Sequence, residues 1–350
     1  MLSRRVLNRT LLQRQHLLAR TSTPPLALVE HLLGLQAQEP LPPYLSLWSR
    51  ITDFDPTPLS RALEERTAVR LLLMRGTIHL VTAGDALRLR PFVQPMLDKV
   101  TRTSQSSRPA AHVDRAALAC AARHALREGP VSFRRLGELL VASFPDVPAG
   151  ALATTAREML PLVQVPPRGL WRQPGGVVYE TLQTWVGADL ATEPDPVDVV
   201  RRYLRAFGPA TPADVTAWSG TTGSRSVFAA LADELTTYRD QDGRQVFDLE
   251  DLPLADEEAP APVRLLGRYD NVWLSHQGRD RVTPDPARRR RWMGANGGVG
   301  ATVFVDGELE GLWRQTDSGA LDLELFRRLT RTERADLDTE VSALEAFLRT

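Results

Sequence analysis

Leu126-Arg127-Glu128-Gly129-Pro130-Val131-Ser132 and Leu204-Arg205-Ala206-Phe207-Gly208-Pro209-Ala210-Thr211 follow one local plan. Each has a helix end, a Gly-Pro break and a hydroxyl residue suited to cap the next helix. Around the first, helices are predicted over 115–127, 132–144 and 150–160. Strands follow near 162–165 and 177–180, on either side of the turn Pro166-Pro167-Arg168-Gly169. Around the second, helices are predicted over 197–207, 213–219 and 224–235. A helix-turn-helix followed by a two-stranded wing has this order. Gly-Pro breaks occur between helices of any α-rich chain. Two such cassettes, each with a third helix and one with strand signals, favour winged helices.

Working outward, residues 4–20 place Val6, Leu7, Leu11, Leu12, Leu17 and Leu18 at helical spacing. Prolines at 24 and 25 open a helix over 26–33 that Gly34 is expected to end. A helix over 58–65 and strands near 68–73 and 77–81 complete the first unit. Residues 248–262 are acidic and proline-rich and read as a linker. Beyond them Asp306-Gly307 is a type I′ hairpin signal between strands at 302–305 and 308–314, and an amphipathic helix covers 331–348.

Length and composition bound the function. A chain of 350 residues suggests two or three compact units, and its 43% hydrophobic and 25% charged content is ordinary for a globular protein. No apolar run is long enough to span a bilayer, and the N-terminal segment lacks a signal-peptide pattern, so a cytoplasmic protein with no membrane partner is expected. The lone Cys120 excludes an internal disulfide and any multi-cysteine metal site. Lys99 is the only lysine, so Schiff-base chemistry has two candidates, Lys99 and the α-amino group. The formal net charge of +0 counts against nucleic acid, yet arginines gather at 4–20, 201–205 and 288–291 while acids gather at 248–258. A solvated surface is the plainer reading of that charge alone.

Gln36 and Gln38 sit between a helix-ending glycine and the prolines at 40, 42 and 43. In extended backbone, positions i and i+2 share a face, so both amides project together while Leu35, Ala37 and Glu39 face the other way. An amide pair is a weak acid-base device but a good dipole: its oxygens can orient a water and favour a nearby positive charge. Two glutamines in a loop are equally compatible with a structural role. His79, two residues from Thr77 on a predicted strand, suits either a bond to a neighbouring carbonyl or support of an active site. His276, Gln277, Arg279 and Arg281 fit a DNA-contacting loop or a solvated one. Arg288 to Arg291 beside Trp292 fit a phosphate grip or an exposed charge run. No phosphate loop, HExxH motif or telling carboxylate dyad is present, so neither metal nor nucleotide cofactor is expected.

The segment His31-Leu32-Leu33-Gly34-Leu35-Gln36-Ala37-Gln38 resembles the paired-glutamine (QxQ) motif of the AlkZ-like winged-helix DNA glycosylases. Met74-Arg75-Gly76-Thr77-Ile78-His79-Leu80-Val81 is similar to that family's Arg-Gly-Thr-x-His strand. Leu265-Leu266-Gly267-Arg268-Tyr269-Asp270 is similar to its Leu-Leu-Pro-x-Phe-Asp segment, with Gly267 in place of proline. Asn296-Gly297-Gly298-Val299, running into Thr302 to Gly307 and Gly311-Leu312-Trp313-Arg314, resembles its C-terminal hairpin, with Gly300 where the family often has arginine. These matches run in order along essentially the whole chain.

The resemblance implies an α+β, mainly α fold of three tandem winged helices (1–108 with the catalytic motif, 109–190 and 191–250) and a small β-barrel-like C-terminal region (251–350). It implies a monofunctional glycosylase, a monomer without cofactors, that removes N7-alkylated guanine, bulky or antibiotic-derived adducts included, from double-stranded DNA. Gln36 and Gln38 would be catalytic, with Thr77 and His79 in support. DNA would meet Arg75, His276, Gln277, Arg279, Arg281, Arg289, Arg290 and Arg291. A sister branch of the family carries aspartate where this chain has Gln38. The competing readings are a non-catalytic winged-helix regulator, a drug-sequestering resistance protein and a protein-protein scaffold.

Overall fold

The computed structural model describes residues 1–293 and 300–350. Three times along the chain a short extended segment follows a helix and pairs antiparallel with a strand much further on. Leu35–Gln36 pairs with Ile78–Thr82, and Val131–Ser132 with Val178–Thr181. Ala210 forms a single bridge with Phe247. Two helices follow each segment: Pro42–Trp48 and Thr57–Glu64, Phe133–Val141 and Ala149–Met159, Pro212–Ser219 and Ser224–Ala230. The hydroxyl caps form as their sequence suggests. Ser132 Oγ accepts from Arg135 N at 3.1 Å, and Thr211 and Asp214 make a reciprocal capping box. The Gly-Pro cassettes therefore mark the second and third copies of a repeat whose first copy lies at the glutamine motif.

The first two copies merge their strands. Leu35–Gln36, Ile78–Thr82, Ala68–Leu72, Leu162–Gln164, Val178–Thr181 and Val131–Ser132 lie in that order in one six-stranded antiparallel sheet. Successive side chains of a strand point to opposite faces. Leu162 thus enters a core private to residues 110–179, while Val163 enters the main core that the rest of the chain shares. The third copy has a two-stranded hairpin, Leu235–Arg239 with Gln245–Leu249, that the sequence reading missed.

Several expected boundaries move. The first helix is Arg4–Arg14, ending well before residue 20. His16 adopts φ 56, its N–H bonds Gln13 O and the Leu17 N–H bonds Leu12 O, a Schellman ending with histidine where glycine is usual. The next helix, Pro25–His31, ends in the same way with Leu33 at φ 54. Gly34 comes one residue later, at φ 98, where a Cβ would lie 2.5 Å from Val81 Cγ1. It lets the glutamine segment lie against Ile78–Thr82. The 21-residue helix Ala83–Thr103 was hidden by its internal Pro91 and Pro95, yet it buries Leu89, Val93, Met96 and Leu97 at helical spacing. The expected linker begins inside a strand: Asp248 is buried and accepts from both terminal nitrogens of Arg14, at 2.8 and 2.7 Å.

The C-terminal sheet is a correction to the barrel-like expectation. Leu321–Leu325, Glu308–Gln315, Ala301–Val305 and Arg264–Leu266 form an open antiparallel sheet whose outer strands do not pair with each other. Four short strands are too few to close around a core; the helix Arg331–Phe347 packs near the Arg264–Leu266 edge instead. The Asp306-Gly307 turn forms as read, with φ 47 and 75 and Val305 opposite Glu308. The segment 296–299 lies outside the described residues. Gly267 packs so that a Cβ would sit 2.8 Å from Leu45 Cβ, leaving no room for a proline ring without repacking. Asp270, in the same segment, forms a fully buried two-bond ion pair with Arg50 at 2.7 and 2.8 Å.

Candidate active site

Gln36 ends the strand at the edge of the six-stranded sheet, directly opposite His79. The pairing continues one residue further, where the Ala37 N–H donates to Ile78 O at 2.7 Å. At Gln38 the side chain replaces the backbone, and its Oε1 accepts the Ile78 N–H at 3.0 Å. Gln36 Oε1 accepts from Arg75 Nη2 at 2.8 Å. Both partners are donors only, so each amide is oriented with its oxygen toward the turn Met74–Gly76 or the strand that follows, and its NH2 away. Each oxygen accepts one hydrogen bond among the described residues and keeps a second lone pair. Both amides engage the turn and strand around Met74–Ile78, while Leu35 and Ala37 are buried and Glu39 pairs with Arg268 at 2.5 Å.

Arg75 occupies a left-handed backbone position, φ 56, inside the turn Met74–Gly76. Its guanidinium donates to Gln36 Oε1 and to Trp218 O, linking the motif to the C-terminal end of the helix Pro212–Ser219. Burial, followed by the nearby charge of Arg279, pushes its pKa down to about 10. It has no carboxylate partner among the described residues. Arg70, which the sequence reading passed over, donates to Ala37 O at 2.6 Å and is 1% exposed. A charged residue inside the wholly buried strand Ala68–Leu72 was the signal available. The peptide between the two glutamines is thus held from beneath by one arginine, while a second arginine holds the first glutamine's amide.

Thr77 Oγ1 donates to Met74 O at 3.0 Å and so closes the turn. His79 is 3% exposed, and its Nδ1 lies 3.0 Å from Thr77 O. A carbonyl only accepts, so Nδ1 carries the proton and Nε2 holds the free lone pair. Burial, then Arg75, pushes the His79 pKa down to about 3, which keeps the ring neutral near pH 7.

The expected DNA-contacting residues divide. Gln277 is exposed and Arg279 half-buried, but His276 and Arg281 are buried, 4% and 8% exposed, and do not face outward. The reason is a long-range contact: the Gln277 N–H is tied to Asp214 Oδ1 at 2.9 Å, which draws the loop onto the helix Pro212–Ser219. Arg291 is committed to Glu324 and stacks on Phe326 with its Cζ 4.2 Å from the ring centroid. Arg289 and Arg290, on the helix Pro286–Trp292, have no ion pair among the described residues. Burial lowers the Arg279 pKa and the charge of Arg289 contributes further, while Asp214 opposes them. Lys99 is exposed on the helix Ala83–Thr103 and bonds neither glutamine. No group of three or more His, Cys, Asp or Glu placed to hold a metal occurs among the described residues. None of their helices is long and apolar enough to cross a membrane.

The sequence matches the family described as DNA glycosylase AlkZ-like over residues 29–347. The chain belongs to that family. An AlkZ-like relative from Streptomyces sahachiroi, named interstrand DNA cross-link repair glycosylase, is 28% identical over 332 residues, covering 87% of this chain and 86% of its own. The solved structure of Streptomyces sahachiroi DNA glycosylase AlkZ superposes with a TM-score of 0.83 at 22% identity, over 99% of this chain and 97% of that one. The two chains therefore share one overall fold along nearly their whole lengths. Within it Gln36 and Gln38 stand at the edge of the merged sheet, held by Arg75 and by the Ile78 N–H.

Proposed function

We propose that this AlkZ-like glycosylase hydrolyses the N-glycosidic bond of N7-alkylated guanine in duplex DNA, with Gln36 and Gln38 as the catalytic pair. The observation that carries the reading is the fixed geometry of the two amides, each oxygen turned to a donor on the turn and strand around Met74–Ile78 and each with a lone pair to spare. N7 alkylation makes the base cationic, so the C1′–N9 bond breaks with its electron pair passing to the base, and no acid is required. The sugar is left with oxocarbenium character. A water held on the free lone pairs attacks C1′ and loses its proton to solvent. Neutral amides suit this task because they orient water and favour positive charge without becoming protonated. His79, with its pKa near 3, is too weak a base to serve as more than a neutral support.

Arg75 is a positioning residue in this scheme. Its bond to Gln36 Oε1 fixes the position of that oxygen, whose second lone pair is left for water. Arg279, Arg289 and Arg290 supply the phosphate contacts, and the three helix–helix–strand copies act as tandem winged helices that cradle a monomer's duplex. Interstrand cross-links, named for the Streptomyces relative, are a further candidate substrate class for this enzyme. The test is incubation with N7-methylguanine duplex DNA and chromatography of the released bases. Free N7-methylguanine from wild type, and none from the Gln36→Ala/Gln38→Ala double variant, is expected. A folded wild-type enzyme that releases no base overturns the reading.

A further inference from the structure

Arg281 presents an unusual economy of contacts. It is 8% exposed, its Nη1 is buried without a partner, and its guanidinium makes no ion pair among the described residues. A buried cation without a partner is costly and is normally paired or liganded. Arg281 lines a cavity of about 310 Å3 that also borders Thr211, Ala213, Arg225, Arg244 and Gln277. Three carboxylates border it too, and each is already engaged. Asp214 accepts from Thr211 N and Oγ1 at 2.8 Å and from Gln277 N at 2.9 Å. Asp240 accepts from Asp242 N and from Arg244 N and Nε. Asp280 faces Arg244 at 3.4 Å. Arg225 is exposed and unpaired among the described residues. Burial lowers the Arg281 pKa, and Asp214 is the strongest influence holding it up.

The cavity opens at the N-terminus of the helix Pro212–Ser219. There the capping box satisfies Asp214 N, Pro212 has no N–H, and the Ala213 N–H is left as a donor of the first turn. We propose that this cavity is a phosphate site, with an oxyanion seated against Arg281, Arg225 at its mouth and the Ala213 N–H alongside. The other end of the same helix holds Arg75 through Trp218 O, about 10 Å away at about 1.5 Å per residue. A backbone phosphate of the substrate duplex is the natural ligand if the glycosylase reading holds; a free phosphate ion presents the same chemistry.

The experiment uses the full chain, inorganic phosphate and an undamaged duplex. Melting temperatures are compared in phosphate and in chloride at equal ionic strength. DNA affinity is measured against salt for wild type, Arg281→Gln and Arg225→Gln. Phosphate is expected to raise the wild-type melting temperature, and each variant to lose at least half of that rise. The log–log salt slope of Arg281→Gln is expected to be shallower by about 0.9, the contribution of one phosphate. A shallower slope identifies the DNA backbone as the source, whereas lost phosphate stabilisation with an unchanged slope identifies a free anion. Both support the site. Unchanged slope and unchanged response to phosphate in Arg225→Gln, an exposed position that does not threaten folding, overturn it. Neither readout needs a damaged base, so a wild type that excises nothing would overturn the proposed activity and leave this test intact.

Discussion

Replacing Arg75 separates positioning from folding, because its side chain and its backbone do different work. The side chain gives Gln36 Oε1 a charge-assisted bond of 2.8 Å, and such bonds contribute about 1.5–3 kcal/mol. If that contribution serves to orient the amide, its loss raises the excision barrier by a similar amount, or about 10- to 150-fold in rate. The backbone at φ 56 costs a non-glycine residue about 1 kcal/mol relative to glycine. Removing the guanidinium also removes a desolvated cation with no carboxylate partner, which offsets the two lost hydrogen bonds. Arg75→Gly should therefore be more stable than Arg75→Ala by about 1 kcal/mol, yet lose as much activity. Arg75→Lys, able to reach one acceptor of the two, should fall between wild type and both. The assay is single-turnover release of N7-methylguanine at saturating enzyme, with urea unfolding in parallel. A folded Arg75→Gly protein that excises within about twofold of wild type, under 0.5 kcal/mol of barrier, refutes the positioning argument.

Gln36→Ala and Gln38→Ala should each lower single-turnover excision at least about tenfold with little loss of stability. Gln38→Glu, which keeps an oxygen toward Ile78 N, and Glu39→Ala, which breaks only a half-exposed pair with Arg268, should be mild. Excision at the wild-type rate by both alanine variants ends the catalytic assignment. His79 has a folded pKa of about 3 against about 6.5 unfolded, so the unfolded chain binds the extra proton between those values and stability falls as pH falls below about 6.5. His79→Asn, which retains a donor toward Thr77 O, should flatten the stability–pH slope between pH 4 and 6 by up to about 1.4 kcal/mol per unit; parallel slopes in urea melts would show that His79 is not the group responsible. Asp270→Ala strands the fully buried Arg50 and should destabilise by about 3–5 kcal/mol, whereas Arg50→Met with Asp270→Leu should recover most of it. Borohydride should trap no covalent enzyme–DNA adduct at Lys99, and a band abolished by Lys99→Arg would contradict the water mechanism.

Much of this protein is legible in its sequence because the relevant physics is local. Gly-Pro breaks, hydroxyl caps and the Asp-Gly turn act within a few residues, so helices such as Pro196–Phe207 and the 301–315 hairpin fall near their expected positions. The spacing of Gln36 and Gln38 is likewise a local signal, placing two amides two residues apart in one short extended segment. Where local signals were atypical, reading failed: histidine and leucine in left-handed caps, and two prolines inside the helix Ala83–Thr103.

What only the tertiary structure decided is who stands beside whom. Arg75 reaches Trp218 across 143 positions, Arg70 supports Ala37 from two strands away in the sheet, and the first two repeats share one sheet. The same long-range packing withdrew His276 and Arg281 from the surface and left Arg281 facing a cavity. No periodicity announces such pairings, because the burial that makes an arginine costly or useful is a property of the assembled core and not of the residues next to it in the chain.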